Sequence, residues 1–408
     1  MLDSELIDRI KNNKLKLIGW GTGGAFVHLN SVAKLDLAYS VDKSVKAPYV
    51  HENGILIQHA DALKSEDPEK VVVLIYSSFI GDIAPQIKEY GDFNYISASV
   101  FIGYQKLEEV INHLEEASAT VIEKVSENPQ PAILIQGPIV ANLTSLVVKY
   151  YAAIYPEAYI LVSTWNDTPS DLLADIEKFA DQILLNEKPF KPGRQNRNML
   201  ITSTYNGLRE LKKKGITFVL KTRADMVVKN KAIFTEGIEL LNQYPLDYSL
   251  QTQMKYRIIF PETYTRKYLL FHPSDMNMFG HIDDLLLYWN VPLEDSEYDC
   301  SIEKIKVDRT LIEYVQDRSN TEIYICYYFK SKLENGYENT LEGSWKLFKD
   351  AFIVTDDDWF DLFWFKHVMI PQFRNNHEPV ANFNREFWEK IYNGLIEKTD
   401  TRDLNLAY

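Results

Sequence analysis

Cysteine is almost missing: Cys300 and Cys326 are the only two among 408 residues. Two cysteines support neither a disulfide scaffold nor a cysteine zinc cluster, and a reducing cytoplasm is the simplest compartment to expect. Basic charge is also in short supply. Lys and Arg number 44 against 58 Asp and Glu, for a net charge of −14 and a pI near 5.2. A general nucleic-acid binder needs the opposite balance, because it displaces counterions with Lys and Arg, so no nucleic-acid partner is expected. A local basic pocket for a phosphate-bearing ligand stays compatible with this balance. No apolar run reaches the roughly 18 residues of a membrane span. The opening Met1-Leu2-Asp3-Ser4-Glu5 has no signal-peptide core. Peripheral attachment at the inner face of a membrane is left open. Internal repeats and low-complexity segments are absent. What is present is ordinary for a globular chain, 46% apolar and 25% charged. The length exceeds one core, so two or three domains are expected. The 25 Tyr, 20 Phe and 7 Trp can stack on sugars or bases, although most such rings fill cores.

Residues 1–105 alternate between strand and helix patterns. Strands are expected over Lys14 to Ile18, Leu35 to Val41, Val71 to Tyr76 and Phe93 to Ser97. That alternation implies a parallel sheet with helices on both faces. Residues 106–130 read as a helical connector ending in the linker Asn128-Pro129-Gln130-Pro131. A second α/β domain begins at Ala132 and takes in 131–408, with a C-terminal helical extension. Its strands are expected over Ala132 to Ile135, Ala158 to Val162 and Phe218 to Leu220, with helices over 143–154 and 196–213.

Gly19, Gly21 and Gly24 match G-x-G-x-x-G between a strand and a helix, and Asp42 ends the next strand where a ribose-binding acid would stand. Such glycines permit a tight turn and close approach of a phosphate, and the helix start offers N–H donors. This is a fold signal more than a chemical one. A bound nucleotide or nucleotide-sugar and a purely structural loop both fit.

The richest stretch is Phe218 to Asp225. An apolar run breaks into Lys221-Thr222-Arg223-Ala224-Asp225, the pattern of a buried strand delivering polar groups to its C-terminal end, where open α/β sheets bind ligands. Asp225 suits a divalent cation, Mn²⁺ or Mg²⁺, that takes its other ligands from a diphosphate and water. Arg223 fits either a phosphate contact or a pair with Asp225, and Lys221 either lines the site or covers its rim. Other strand ends point the same way. Gln136-Gly137-Pro138 closes one strand, and Ser163-Thr164-Trp165 with Asp167 closes another. Gly137 permits close approach of a base or ribose, and Asp167 can accept from ribose hydroxyls. Arg194-Gln195-Asn196 opens a helix, where phosphate meets both Arg and free N–H groups. Asp275, in Ser274-Asp275-Met276-Asn277-Met278-Phe279-Gly280, is a candidate acceptor-side base. Ordinary turn and cap chemistry is the competing reading for each of these.

Taken in order, Gln-Gly-Pro, Ser-Thr-Trp, Lys-Thr-Arg-x-Asp and Ser-Asp-x-x-x-x-Gly resemble the WavE family of lipopolysaccharide-synthesis proteins, over about 131–290. The stretch from Lys16 to about Tyr90 is similar to a Rossmann-like module of bacterial surface-polysaccharide proteins. The resemblance implies an N-terminal Rossmann-like domain plus a GT-A-like α/β glycosyltransferase domain. It implies transfer of a sugar from a nucleotide-sugar donor to a glycan or lipid-linked acceptor, in lipopolysaccharide or capsule synthesis. Two departures stand out. Arg223-Ala224-Asp225 replaces the Asp-x-Asp of many GT-A enzymes. The acidic residue that opens a later helix in the family has its nearest counterpart at Asp308. The cluster Asp356-Asp357-Asp358 reads as an acidic turn or, with His367, as part of a metal shell. Two other functions fit parts of the chain: a nucleotide-dependent oxidoreductase or epimerase built on the glycine loop, and a non-catalytic glycan-assembly scaffold.

Overall fold

The computed structural model describes residues 4–12, 14–33, 35–77, 80–117, 131–141, 143–247, 249–251, 253–295, 320–364 and 382–395. The chain is mixed α/β and divides into two compact units. One comprises Met1–Ala119, Val140–Leu146 and Phe363–Phe373; the other comprises Thr120–Ile139, Val147–Leu362 and Arg374–Tyr408.

The first unit holds strands β1 (Lys16–Trp20), β2 (Leu37–Asp42), β3 (Tyr49–Val50), β4 (Leu56–His59), β5 (Val71–Ile75) and β6 (Asn94–Ser97). Their order is β3-β4-β2-β1-β5-β6, and every pairing is parallel except the short edge pair β3–β4. Without that edge strand the order is the doubly wound one, with its reversal between β1 and β5. β5 is buried along its whole length, which is why Val71 to Ile75 reads as an unbroken apolar run rather than an alternating one. The core gathers Ile18, Val41, Val73, Ile75, Ile87 and Phe93. The helix after β6 runs over Ala98–Ala117, beginning earlier than the connector expected from 106, because it starts directly at the strand end.

The second unit is built on β7 (Ala132–Gln136), β8 (Tyr159–Trp165), β9 (Gln182–Asn186), β10 (Phe218–Arg223), β11 (Met226–Val228), β12 (Ile258–Pro261), β13 (Met278–His281) and β14 (Phe352–Thr355). All but β11 join one sheet, ordered β14-β12-β13-β10-β7-β8-β9. Strands β10, β7, β8 and β9 are mutually parallel. β13 runs antiparallel to both β10 and β12. Numbered among themselves in chain order, the seven strands therefore stand as 3-2-1-4-6-5-7, with the sixth reversed.

This topology sets the edge at which the candidate residues gather. The parallel strands all deliver their C-terminal ends to one side of the sheet. Because β13 is reversed, Lys221 pairs with Met278, and the bend before β13 arrives at that same side. The helix Arg197–Lys213 and the helix Thr321–Lys330 also bring their N-terminal ends there, as their contacts below show.

Candidate active site

β10 ends in register with β7, Arg223 opposite Gln136, and the ladder continues one step as the Ala224 amide donates to the Gln136 carbonyl at 3.0 Å. The turn that follows is held from beneath. The buried Tyr151 hydroxyl donates to Thr222 Oγ1 at 3.3 Å and accepts from the Val228 amide at 2.9 Å. Tyr155 donates to the Val228 carbonyl at 3.0 Å and to that of Asn230 at 2.7 Å. Two tyrosines one helical turn apart thus clamp both strands that flank Arg223-Ala224-Asp225.

Within the turn Arg223 grips Asp225 in a two-point pair, Nε to Oδ1 at 2.8 Å and Nη2 to Oδ2 at 3.1 Å. Both readings left open for Arg223 now have a geometric starting point: it is bonded to Asp225, and it stands at the edge where a phosphate would approach. Lys221 is fully buried, neither a rim residue nor an exposed lining one. Its ammonium donates to the carbonyls of Asp275 and Met276 and lies 5.0 Å from the centroid of the Trp289 ring. Burial pushes its pKa down to about 7, against the pull of Asp275.

Glu322 completes the cluster. Asn320 caps the helix Thr321–Lys330 by accepting from the Glu322 amide, so Glu322 occupies its first turn. Its side chain is half-buried. Burial, then the charge of Asp275, push its pKa up to about 8, with Arg266 and Arg197 pulling the other way. Asp275 also bears on Lys221 and Arg223. Lys221, Arg223, Asp225, Asp275 and Glu322 therefore interact electrostatically at one edge of the sheet. Arg197 and Arg266 flank Glu322. Both guanidinium groups are more than nine-tenths buried. Arg197 stacks 4.4 Å from the centroid of Tyr324. Arg266 stacks 4.9 Å from that of Tyr264, whose backbone is left-handed at φ 63°. A bulky residue in that region is a true outlier, and such strain collects at functional sites.

Glu322 escaped the sequence reading, which took Asp308 as the acid opening a later helix. Asp308 lies outside the described residues. The signal was present in Asn320-Thr321-Glu322, an N-cap followed by an acid in the first turn.

The other expected residues distribute unevenly. Gln136 Oε1 accepts from Ser203 at 3.0 Å, and Gly137, at φ 121°, lies next to Ala224. Pro138 is exposed. Gln195 Oε1 accepts from Thr321 Oγ1 at 3.4 Å, beside Glu322. Gln195 and Asn196 are left-handed in succession, so the helix proper begins at Arg197, one residue later than expected. The Arg194 amide donates to Glu294 at 2.8 Å. Asp167 is exposed and paired with Lys188 at 2.5 Å, and no contact joins it to the cluster among the described residues. Asp357 is buried and accepts from the Thr263 amide at 3.0 Å; Asp356 accepts from the Arg385 amide at 3.1 Å. Both carboxylates serve turns here, and His367 lies outside the described residues.

The glycine loop belongs to the first unit. Gly19 sits inside β1, where a Cβ would come within 2.5 Å of Ser40 Oγ. Gly21 takes φ 102°, open to glycine alone at little cost, and its amide donates to the Val41 carbonyl at 2.8 Å. Gly24 opens the helix Gly24–Val32. Asp42 accepts from Thr22 Oγ1 at 3.0 Å and from the Ser44 amide and hydroxyl at 2.8 and 2.7 Å. Burial opposes ionisation of Asp42, but those bonds hold its pKa below the usual value. The carboxylate expected to meet a ribose is thus already engaged by its own loop.

Among the described residues no three His, Cys, Asp or Glu side chains gather as a cation site. A cation at Asp225 would have to loosen the Arg223 pair and draw its remaining ligands from a diphosphate and water. No helix of the described residues is long and apolar enough to cross a membrane.

No curated protein is similar enough to count as a relative. Among solved structures, dipicolinate synthase A chain from Bacillus subtilis is 10% identical, over 43% of this chain and 67% of that one, with a TM-score of 0.19; at that score the likeness carries no argument. The profile of the WavE lipopolysaccharide synthesis family matches residues 132–352. That span is more than half of the chain and contains every member of the charged cluster, so the chain belongs to the WavE lipopolysaccharide synthesis family.

Proposed function

We propose that the chain is a glycosyltransferase, moving a sugar from a nucleotide-sugar donor to a glycan or lipid-linked acceptor in bacterial surface polysaccharide synthesis. The observation that carries the reading is the convergence of Arg223-Asp225, Asp275 and Glu322 on one sheet edge. Glycosyl transfer asks for that combination. Cationic groups or a cation must neutralise the leaving diphosphate, and a carboxylate must take the acceptor proton. Asp275 and Glu322 form the candidate base pair, the charge of one acting on the other. The acceptor hydroxyl loses its proton to that pair as its oxygen bonds to the anomeric carbon. The bond from that carbon to the diphosphate oxygen breaks, releasing a nucleoside diphosphate.

The donor side falls to the β7 and β10 ends. Gln136 and Gly137 line the nucleotide side, and Arg223 with Asp225 faces the diphosphate. Arg194, Gln195 and Asn196 form a polar rim beside Glu322. A Mn²⁺ or Mg²⁺ ion, when bound with the donor at Asp225, would supply further charge neutralisation. The mixed sheet with one reversed strand supports a GT-A-like reading, and the doubly wound order of the first unit a Rossmann-like one. Nucleotide binding at Gly19, Gly21, Gly24 and Asp42 is disfavoured in that unit, because Thr22 and Ser44 already engage Asp42.

The test is donor turnover over a nucleotide-sugar panel, with Mn²⁺, Mg²⁺ or chelator, comparing the wild type with Asp225→Asn. Turnover that needs metal and falls about 100-fold in the variant supports the full reading. Turnover indifferent to chelator keeps the transferase and assigns the diphosphate to arginine. Absence of donor binding and turnover across the panel would sink the proposal.

A further inference from the structure

The site contains a buried ammonium that the proposed chemistry does not use directly. Lys221 has no solvent-accessible surface, and among the described residues its hydrogen bonds go to carbonyls and not to a carboxylate. A charge placed so costs stability, and an apolar side chain of similar volume would fill the space without that cost. The partners of Lys221 explain what the charge does. An ammonium has three protons to place. Two go to the backbone carbonyls of Asp275 and Met276, and the remaining direction is covered by the face of Trp289, 5.0 Å from Nζ to centroid, a favourable seat for a cation. This leaves none for a phosphate.

The carbonyls that Lys221 holds belong to a bend. Residues 275 and 276 precede β13 and lie outside any ladder. The bend's own bonds are few: Ser274 donates its amide to Thr265 Oγ1 at 3.0 Å, and Met276 its amide to Ser274 Oγ at 3.4 Å. The second holds the Asp275–Met276 peptide only from within the bend, and neither ties that peptide or the next one to the sheet. Lys221 does so from the neighbouring strand, whose register with β13 sets Lys221 opposite Met278. The lysine is thus an internal tie between a rigid strand and the bend that carries a proposed base.

We infer that Lys221 is a positioning residue: it fixes the Asp275–Met276 backbone so that the Asp275 carboxylate faces Glu322 and the donor edge. The catalytic part of this statement rests on the glycosyltransferase reading; the structural part does not.

Two arms separate them. The first compares amide hydrogen exchange across residues 273–279 in the full-length wild type, Lys221→Met and Lys221→Gln. Met fills the volume without a donor, and Gln restores one. Exchange should quicken about tenfold or more in Lys221→Met, with partial recovery in Lys221→Gln, while β7 and β8 stay unchanged. Unchanged exchange in 273–279, or an equal rise throughout the sheet, overturns the inference. The second arm uses any donor that the wild type turns over. Lys221→Met should lower kcat about 100-fold, the scale of a small misplacement, with donor Kd unchanged. Loss of donor affinity at constant kcat would instead make Lys221 a donor contact and overturn it. If the wild type turns over no donor, the functional reading fails while the exchange arm still decides the structural claim.

Discussion

Glu322 is the residue on which the proposed chemistry turns most sharply. Its carboxyl has a folded pKa of about 8 against an ordinary 4.5, so the folded chain holds a proton there across that interval. The stabilisation from this proton is fully present below the ordinary value and is lost as pH rises through about 8. Glu322→Gln, which cannot ionise, should therefore gain thermal stability relative to wild type as pH is raised from 6 to 9. A constant difference across that range would contradict the shift. Kinetics give the opposite slope. A base works only when deprotonated, so wild-type kcat should rise with pH toward about 8. Glu322→Gln should lose roughly 10² to 10⁴-fold together with that limb of the profile. At this scale the sequence was legible in part. Arg223 and Asp225 could be read from the break of an apolar strand into polar residues, and Asp275 from the segment Ser274-Asp275-Met276-Asn277-Met278-Phe279-Gly280. The burial of Lys221 and the raised pKa of Glu322 could not be read in the same way. Lysine is almost always a surface residue, and nothing local announces that Trp289 and two carbonyls enclose this one. Glu322 acquires its character from Asp275, Arg266 and Arg197, all distant in sequence.

Elements explain why these side chains hold their places. The β10–β11 turn keeps one ladder bond, from the Ala224 amide to the Gln136 carbonyl. From beneath, the Tyr151 hydroxyl bridges Thr222 and Val228 from the helix Thr144–Ile154. Tyr151→Phe keeps the ring and removes the bridge, leaving the Val228 amide without its acceptor. A loss of about 1–3 kcal/mol follows for a buried donor stripped of its partner, measurable by urea unfolding, with faster exchange at Val228. A similar device supports the reversed strand. Asp284, in the first turn of the helix Ile282–Trp289 after β13, accepts from the amides of Lys255 and Tyr256 at 2.8 and 2.9 Å. An amide side chain offers only one oxygen, so Asp284→Asn should cost about 1–3 kcal/mol. Strand and helix existence followed from periodicity for β5, β7, β8 and the helix Arg197–Lys213. Boundaries drifted where structure depends on distant partners. β8 extends to Trp165 because β9 pairs with it that far, a fact no local pattern contains.

Among the described residues each of the two units has its own buried apolar residues, and stability should reflect that division. In the first unit Leu74 is fully buried in β5; in the second Ile259 is fully buried in β12. Each lies in a strand flanked on both sides by others, where truncation leaves a cavity that its neighbours cannot close without leaving their ladders. Leu74→Ala and Ile259→Ala should each cost about 2–5 kcal/mol. Because each cavity opens in a different core, calorimetry should show that the two substitutions act on different parts of the unfolding profile. Leu74→Ala should lower the component that loses the six-stranded sheet and leave donor turnover at low temperature intact. Ile259→Ala should lower the component that carries the charged cluster and take donor turnover with it on heating. Equal displacement of a single transition by both substitutions would mean that the two cores melt as one cooperative body, and that stability is shared beyond the contacts of either sheet.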